Sequence, residues 1–212
     1  MRKLSYAGTE LDALKDAKNY YRWILSHFAP YVGNRIIEVG AGTGTFSEFL
    51  LNGTNASELI LIEPAENLFP LLEARFSGNS RVKLVHGSLE DLSTTSFSTE
   101  SVVTVNVLEH IPKDEVFLQT AHRLLVPGGT LLLFVPALPQ LFGTLDEVFG
   151  HVQRYTKPLL GRKLQRAGFH LVCLRYLNSI GVIPWFITPM KQRVGTSGSD
   201  AMMGKGRRPP QP

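Results

Sequence analysis

The sequence predicts a doubly wound α/β fold on a mostly parallel sheet. Three observations carry that expectation: short Val-, Ile- and Leu-rich runs alternate with helix-length amphipathic stretches, the runs are nearly continuous in apolar character, and glycine or Pro-Gly turns separate the two kinds of segment. Continuous apolar strands are what a parallel sheet needs when helices cover both its faces. At 212 residues the chain fits one domain, long enough to bury a core without disulfides or metals.

Along the chain, apolar residues recur at helical spacing from Asp12 to Phe28, and Pro30 ends that helix. Arg35 to Val39 reads as a first strand that runs straight into Gly40-Ala-Gly-Thr-Gly44, with a helix from Phe46 to Leu51. Leu59 to Ile62 is a second strand, Asn67 to Phe76 a helix, Val82 to His86 a third strand and Ser101 to Val107 a fourth. Lys113 to Leu125 is a helix, stopped by Pro127-Gly-Gly129 ahead of a fifth strand at Thr130 to Val135. Pro136 to Tyr155 is then a loop of unusual length, which suggests a binding role on the acceptor side of the site. Thr156 as N-cap, Pro158 in the first turn and Gly168 after the last apolar residue bound a helix over Lys157 to Ala167, with a sixth strand at Phe169 to Leu177. From Lys191 the sequence loses periodicity and fills with Gly, Ser, Pro, Lys and Arg, so residues 191–212 are expected to be a disordered tail behind a domain of residues 1–190. The domain divides into an N-terminal helix (12–28), a sheet core (34–135), a lid loop (136–155) and a closing helix and strand (156–177).

Composition excludes several classes. Cys173 is the only cysteine, so an internal disulfide framework and a cysteine-ligated zinc module are both out of reach. Two basic residues open the chain with no apolar stretch behind them, so nothing reads as a secretory signal. The longest apolar stretches are too short to span a membrane and are interrupted by prolines. A soluble cytoplasmic protein is the expectation. The net charge of +4 invites a polyanion partner. However, five of the 22 basic residues and one of the 18 acidic residues lie after Met190, so the excess belongs to the tail and no nucleic-acid partner is expected.

The strand ends hold the chemistry. Glu38-Val-Gly-Ala-Gly-Thr-Gly44 lies at the carboxyl end of the first strand, where open parallel sheets bind ligands. Its glycine spacing is not GxGxxG, which counts against a nicotinamide dehydrogenase. An acid two residues before the first glycine suits a ligand with a cationic amino group better than a diphosphate. The second strand ends at Glu63-Pro64, near the spacing at which an acid meets a ribose diol. Gly87-Ser-Leu-Glu-Asp91 could meet an adenine edge, and Asn106-Val-Leu-Glu-His110 ends the fourth strand.

With these motifs the sequence resembles the class I S-adenosylmethionine-dependent methyltransferases, in particular the small-molecule group with a glutamate-led EVGAGTG turn. The resemblance covers about Asn19 to Leu177 and includes Leu125-Val-Pro-Gly-Gly129. It implies a Rossmann-like methyltransferase fold, S-adenosylmethionine as cofactor and a small-molecule acceptor. Carried over by position, it implies Glu38, Gly40, Ala41, Gly42 and Gly44 for the methionyl part, and Glu63 with Pro64 at the ribose. It further implies Ser88 and Leu89 at the adenine, with Asn106 and Val107 beneath the methionine. Ser88 stands where many relatives have Asp, and nothing after Met190 reads as the seventh, antiparallel strand, so the C-terminal edge strand is expected to be missing. Asp146 to Tyr155 also resembles the D-GH-RRY segment of a bacterial subgroup linked to polysaccharide or lipid modification, with Gln153 in place of its first arginine.

Methyl transfer from a sulfonium is an in-line displacement from an activated donor, so the protein positions two reactants and, for a hydroxyl of a sugar, lipid precursor or phenol, removes a proton. His151 is the candidate base and Asp146, five residues earlier, its orienting carboxylate. The alternative is that both merely fix the loop. His110 reads as crevice wall, His27, His86, His122 and His170 as ordinary core or surface residues, and no metal is expected. Tyr20, Tyr21 and Trp23 could cover the sulfonium, though helical spacing favours core packing. A noncatalytic S-adenosylmethionine-binding domain is the competing reading.

Overall fold

A computed structural model of the chain describes residue 6 and residues 17–92 and 97–177. Five strands form one parallel sheet: β1 (Arg35–Val39), β2 (Glu58–Glu63), β3 (Val82–His86), β4 (Thr99–Val105) and β5 (Leu125–Phe134), in the order β3-β2-β1-β4-β5. Among the described residues the α-helices are α1 (Lys18–Phe28) ahead of the sheet, α2 (Thr45–Gly53), α3 (Phe69–Phe76), α4 (Leu89–Leu92) and α5 (Asp114–Leu124) between the strands, and α6 (Thr144–Phe149) and α7 (Lys157–Arg166) after β5. The predicted doubly wound sheet is the observed one.

The strands are apolar on both faces because both are covered. Ile36, Leu59, Leu61 and Val103 face a cluster built with α1 and α2 through Ile24, Phe28, Phe46 and Leu50. Ile37, Val39, Ile60, Ile62 and Val102 face a second cluster with α5 and α7 through Phe117, Leu118, Leu160 and Leu164. Fully burying such a side chain stabilises by roughly 1.5–3 kcal/mol, so the central strands are the most costly to disturb.

Several boundaries differ from expectation. The Pro-Gly-Gly turn does not precede β5 but belongs to it: Thr99 pairs with Leu125 and Ser101 with Thr130, so the turn bulges out of an already formed ladder. The long loop is not structureless, since it contains a 3-10 turn at Pro139–Leu141 and α6. The sixth strand at Phe169 to Leu177 is a misreading. Among the described residues no strand is assigned over 169–177, and Val172 is 77% exposed. Extended, β-branched sequence becomes a strand only where a neighbour offers its backbone. Residues 12–16 of the first helix, the tail 191–212 and the region of the seventh strand lie outside the described residues. No described helix is long and apolar enough to cross a membrane.

Candidate active site

The strand order reverses between β1 and β4, and the crevice at that switch point lies beyond their carboxyl ends. A cavity of about 480 Å³ opens there, lined by Glu38 to Thr43, Glu63 to Ala65, Gly87 to Glu90, Asn106, Val107, His110 and Tyr21. That volume suits a nucleoside-sized ligand. Among the residues assigned from sequence, Glu38, Gly40, Ala41, Gly42, Glu63, Pro64, Ser88, Leu89, Asn106 and Val107 all line it. Gly44 stands outside the wall as the left-handed N-cap of α2.

The glycine turn is tied to β2. The Gly40 and Ala41 amides both donate to the Ile62 carbonyl, at 2.9 and 3.1 Å. Gly40 has a φ of 72°, and a β-carbon there would overlap Val107 Cγ2, so the turn requires glycine both for its conformation and for close approach to the β4 end. Glu63 latches the turn: Oε2 accepts the Gly42 amide at 2.7 Å and Oε1 accepts the Ala65 amide at 2.8 Å. Each carboxylate oxygen has a further lone pair for a ribose hydroxyl. Burial raises the Glu63 pKa, against the two amide bonds and the nearby His86, which lower it.

Glu38 is 3% exposed, and its Oε2 is buried with no hydrogen-bond partner. Burial pushes its carboxyl up to about 8, with the Ser47 hydroxyl pulling it down and the Glu63 charge adding to the rise. An unsatisfied buried carboxyl oxygen in a crevice wall is what a cationic ligand group would complete. The Ser88 amide and hydroxyl both reach Asp91 Oδ2, at 2.7 and 3.1 Å, which leaves the Ser88 oxygen able to accept. Asn106 adopts a φ of 54°, unusual for a residue other than glycine, with its amide donating to the Phe134 carbonyl at 2.8 Å. Tyr21 is both core and crevice wall, whereas Tyr20 and Trp23 pack edge-on against Phe134.

His151 and Asp146 do not line this cavity; they stand behind His110, whose ring lies 4.8 Å from that of His151. The expected pairing is present: His151 Nδ1 is 2.8 Å from Asp146 Oδ1. Gly150 ends α6 at a φ of 78°, turning the chain so that the His151 ring folds back on Asp146. Asp146 Oδ1 also accepts from Arg154 Nε at 2.7 Å, and its Oδ2 from the Gly143 amide at 2.9 Å. Burial alone would raise the Asp146 pKa, but Arg154, His151 and the Gly143 amide outweigh it and hold it below the ordinary value. Fully buried Glu109 places Oε1 4.0 Å from His151 Nε2, and the Val152 amide donates to its carbonyl at 2.8 Å.

Sequence reasoning missed the anchor of this loop. Asp114, buried at the start of α5, receives Lys163 at 2.7 Å and Gln153 at 3.1 Å, and lies 3.0 Å from the Tyr155 hydroxyl. It also missed Tyr6, which lines the cavity and exchanges two 2.9 Å hydrogen bonds with Asn67. The spacing of Asp114 from Gln153 and Tyr155 in the sequence carries no periodic signal for that contact.

Residues 13–174 match a family described as a methyltransferase domain. The chain belongs to that family. Its fold is that of the class I S-adenosylmethionine-dependent methyltransferases. A Mesorhizobium loti S-adenosylmethionine-dependent methyltransferase superposes with a TM-score of 0.62 at 18% identity, covering 77% of this chain and 88% of the other. A demethylmenaquinone methyltransferase of Clavibacter sepedonicus is 29% identical over 105 residues, 50% of this chain and 42% of that protein. The human mitochondrial ubiquinone biosynthesis O-methyltransferase is 30% identical over 125 residues, 57% of this chain and 33% of that protein. The chain spans less than half the length of these curated relatives. Other relatives are named for ribosomal RNA and tRNA.

Proposed function

We propose that this methyltransferase domain transfers the methyl group of S-adenosylmethionine to a hydroxyl of a small molecule such as a sugar, a lipid precursor or a phenol. The observation that carries the donor half is Glu38, a buried carboxyl with an unpartnered oxygen in the wall of the switch-point crevice. It meets the donor's amino group, the glycine turn 40–44 gives the methionyl backbone close approach, Glu63 beside Pro64 takes the ribose diol, and Ser88 with the Leu89 amide takes the adenine edge. Asn106 and Val107 form the floor beneath the sulfonium. His151, its ring held by Asp146, serves the acceptor by activating its hydroxyl. The acceptor oxygen then attacks the methyl carbon, the carbon–sulfur bond breaks, and the electron pair stays on sulfur.

A small acceptor is favoured over RNA because the chain before Met190 carries 17 basic and 17 acidic residues and offers no net attraction for a polyanion. The test is calorimetry with S-adenosylmethionine and its demethylated product, followed by a tritiated-methyl screen against small-molecule extract fractions and total RNA. Binding of both nucleosides and labelling of a small molecule that Glu63→Ala abolishes is the expected result. Absence of binding by either nucleoside refutes the donor assignment, and labelling of RNA alone refutes the acceptor class.

A further inference from the structure

We propose that Glu109, His110 and His151 bind one divalent transition-metal cation beside the crevice, with Zn²⁺ the best match to the donors. One donor atom from each side chain lies within 4.8 Å of the others. Two imidazoles and a carboxylate form a donor set that zinc accepts while keeping a fourth position open. Donors about 2 Å from a tetrahedral ion stand roughly 3.4 Å apart. The 4.0 Å between His151 Nε2 and Glu109 Oε1 is close to that separation.

The surroundings of the donors favour metal over a mere loop contact. His151 directs Nδ1 at Asp146, which assigns the ring proton to that nitrogen and the lone pair to Nε2, on the Glu109 side. A carboxylate behind a histidine in this way orients the ring and raises its basicity as a ligand. Asp146 is itself fixed by Arg154 and the Gly143 amide. His110 has Nδ1 3.2 Å from the Gly150 carbonyl, so the second ring is also anchored from outside. Glu109 is fully buried, so its carboxylate is held in place between the two rings' side of the loop and the strand end.

The site also has an outlet. His110 lines the crevice whereas His151 does not, so an ion shared between them bridges the buried pair and the cavity. Its chemical consequence rests on the methyl-transfer reading above: an acceptor hydroxyl that coordinated the ion would give its proton to solvent water more easily, and His151 would then act as a ligand rather than as the proton acceptor.

The chelator-treated full chain, titrated with Co²⁺ under visible absorption and with Zn²⁺ by calorimetry, should bind one equivalent. Glu109→Gln and His110→Ala should each weaken binding at least 10-fold, while Cys173→Ser and His27→Ala should leave it unchanged. Because Glu109 is fully buried, the wild-type imidazole NMR resonances supply a readout that needs no variant: Zn²⁺ should shift two histidines and spare the other four. Absence of a bound equivalent, binding that survives both substitutions, or shifts at other histidines would overturn the site. Binding of the demethylated cofactor by the metal-free chain separates the two readings: if it persists when no metal binds, only the metal site falls.

Discussion

If Glu38 meets the donor's amino group as proposed, its buried carboxyl should make donor binding a proton-releasing step. In the unliganded fold its pKa stands at about 8, against 4.5 for the ordinary group, with burial as the main cause. A shift of that size corresponds to about 5 kcal/mol between protonation states. The folded carboxyl holds its proton more tightly than the unfolded one. Its contribution to the stability of the unliganded fold is therefore fully present below about pH 4.5 and is lost as pH rises toward 8. A cationic amino group beside Oε2 favours the ionised form and draws the pKa back down, so binding at pH 6.5 should release close to one proton. The dissociation constant for S-adenosylhomocysteine should fall about 10-fold per pH unit between pH 5.5 and 7.5. Calorimetry in two buffers of different ionisation enthalpy measures the proton count directly. Glu38→Gln should remove both the proton release and the slope. A wild-type affinity that does not change across that range, or a slope that survives the substitution, would refute the assignment of Glu38 to the amino group.

Other perturbations probe other parts of the site. Glu63→Gln replaces one acceptor oxygen by an NH₂ facing a backbone N–H, leaving the Gly42 or the Ala65 amide unsatisfied; at about 1–3 kcal/mol for such a group, thermal unfolding should move down by roughly 2–12 °C and cofactor affinity should drop with it. Gly40→Ala forces a left-handed alanine against Val107 and should cost about 1–3 kcal/mol, read as a lower melting temperature and at least 10-fold weaker cofactor binding. Tyr155→Phe removes one hydroxyl beside Asp114 and should cost about 1 kcal/mol in a denaturant titration, with cofactor binding unchanged. Asp146→Asn should lower kcat far more than the affinity for S-adenosylmethionine, and equal kinetics in wild type and variant would refute a role for the His151–Asp146 pair in turnover.

What the sequence made legible and what it hid divide along a physical line. Strands β1 to β4 and the crevice wall were readable because local signals agree: a buried run, a turn only glycine can make, and an acid where the strand ends. Even the Glu63 position followed from spacing. That its two oxygens latch the glycine turn did not, because the contact depends on the β1–β2 register, in which Val39 faces Ile62, and no local pattern encodes register. The Phe169–Leu177 misreading has a related origin, since a segment rich in Phe, Leu, Val and Tyr has the same composition whether or not a neighbour pairs with it. The placement of His151 behind His110 was equally hidden, because the direction of a loop side chain is set by the left-handed turn at Gly150 and the tether at Val152. The Asp114 anchor collects partners up to 49 residues away, a separation at which sequence patterns carry no information.

The long loop after β5 begins and ends at the same place. Leu138 donates to the Tyr155 carbonyl at 3.1 Å, the Tyr155 amide donates to the Pro136 carbonyl at 3.0 Å, and the Tyr155 ring is buried. Between its ends the segment meets the loop after β4 through the Val152 amide on the Glu109 carbonyl and the Gly150 carbonyl beside His110 Nδ1. A change of length inside the segment is therefore expected to leave this base in place and to reach the crevice through these contacts, His110 being part of the crevice wall.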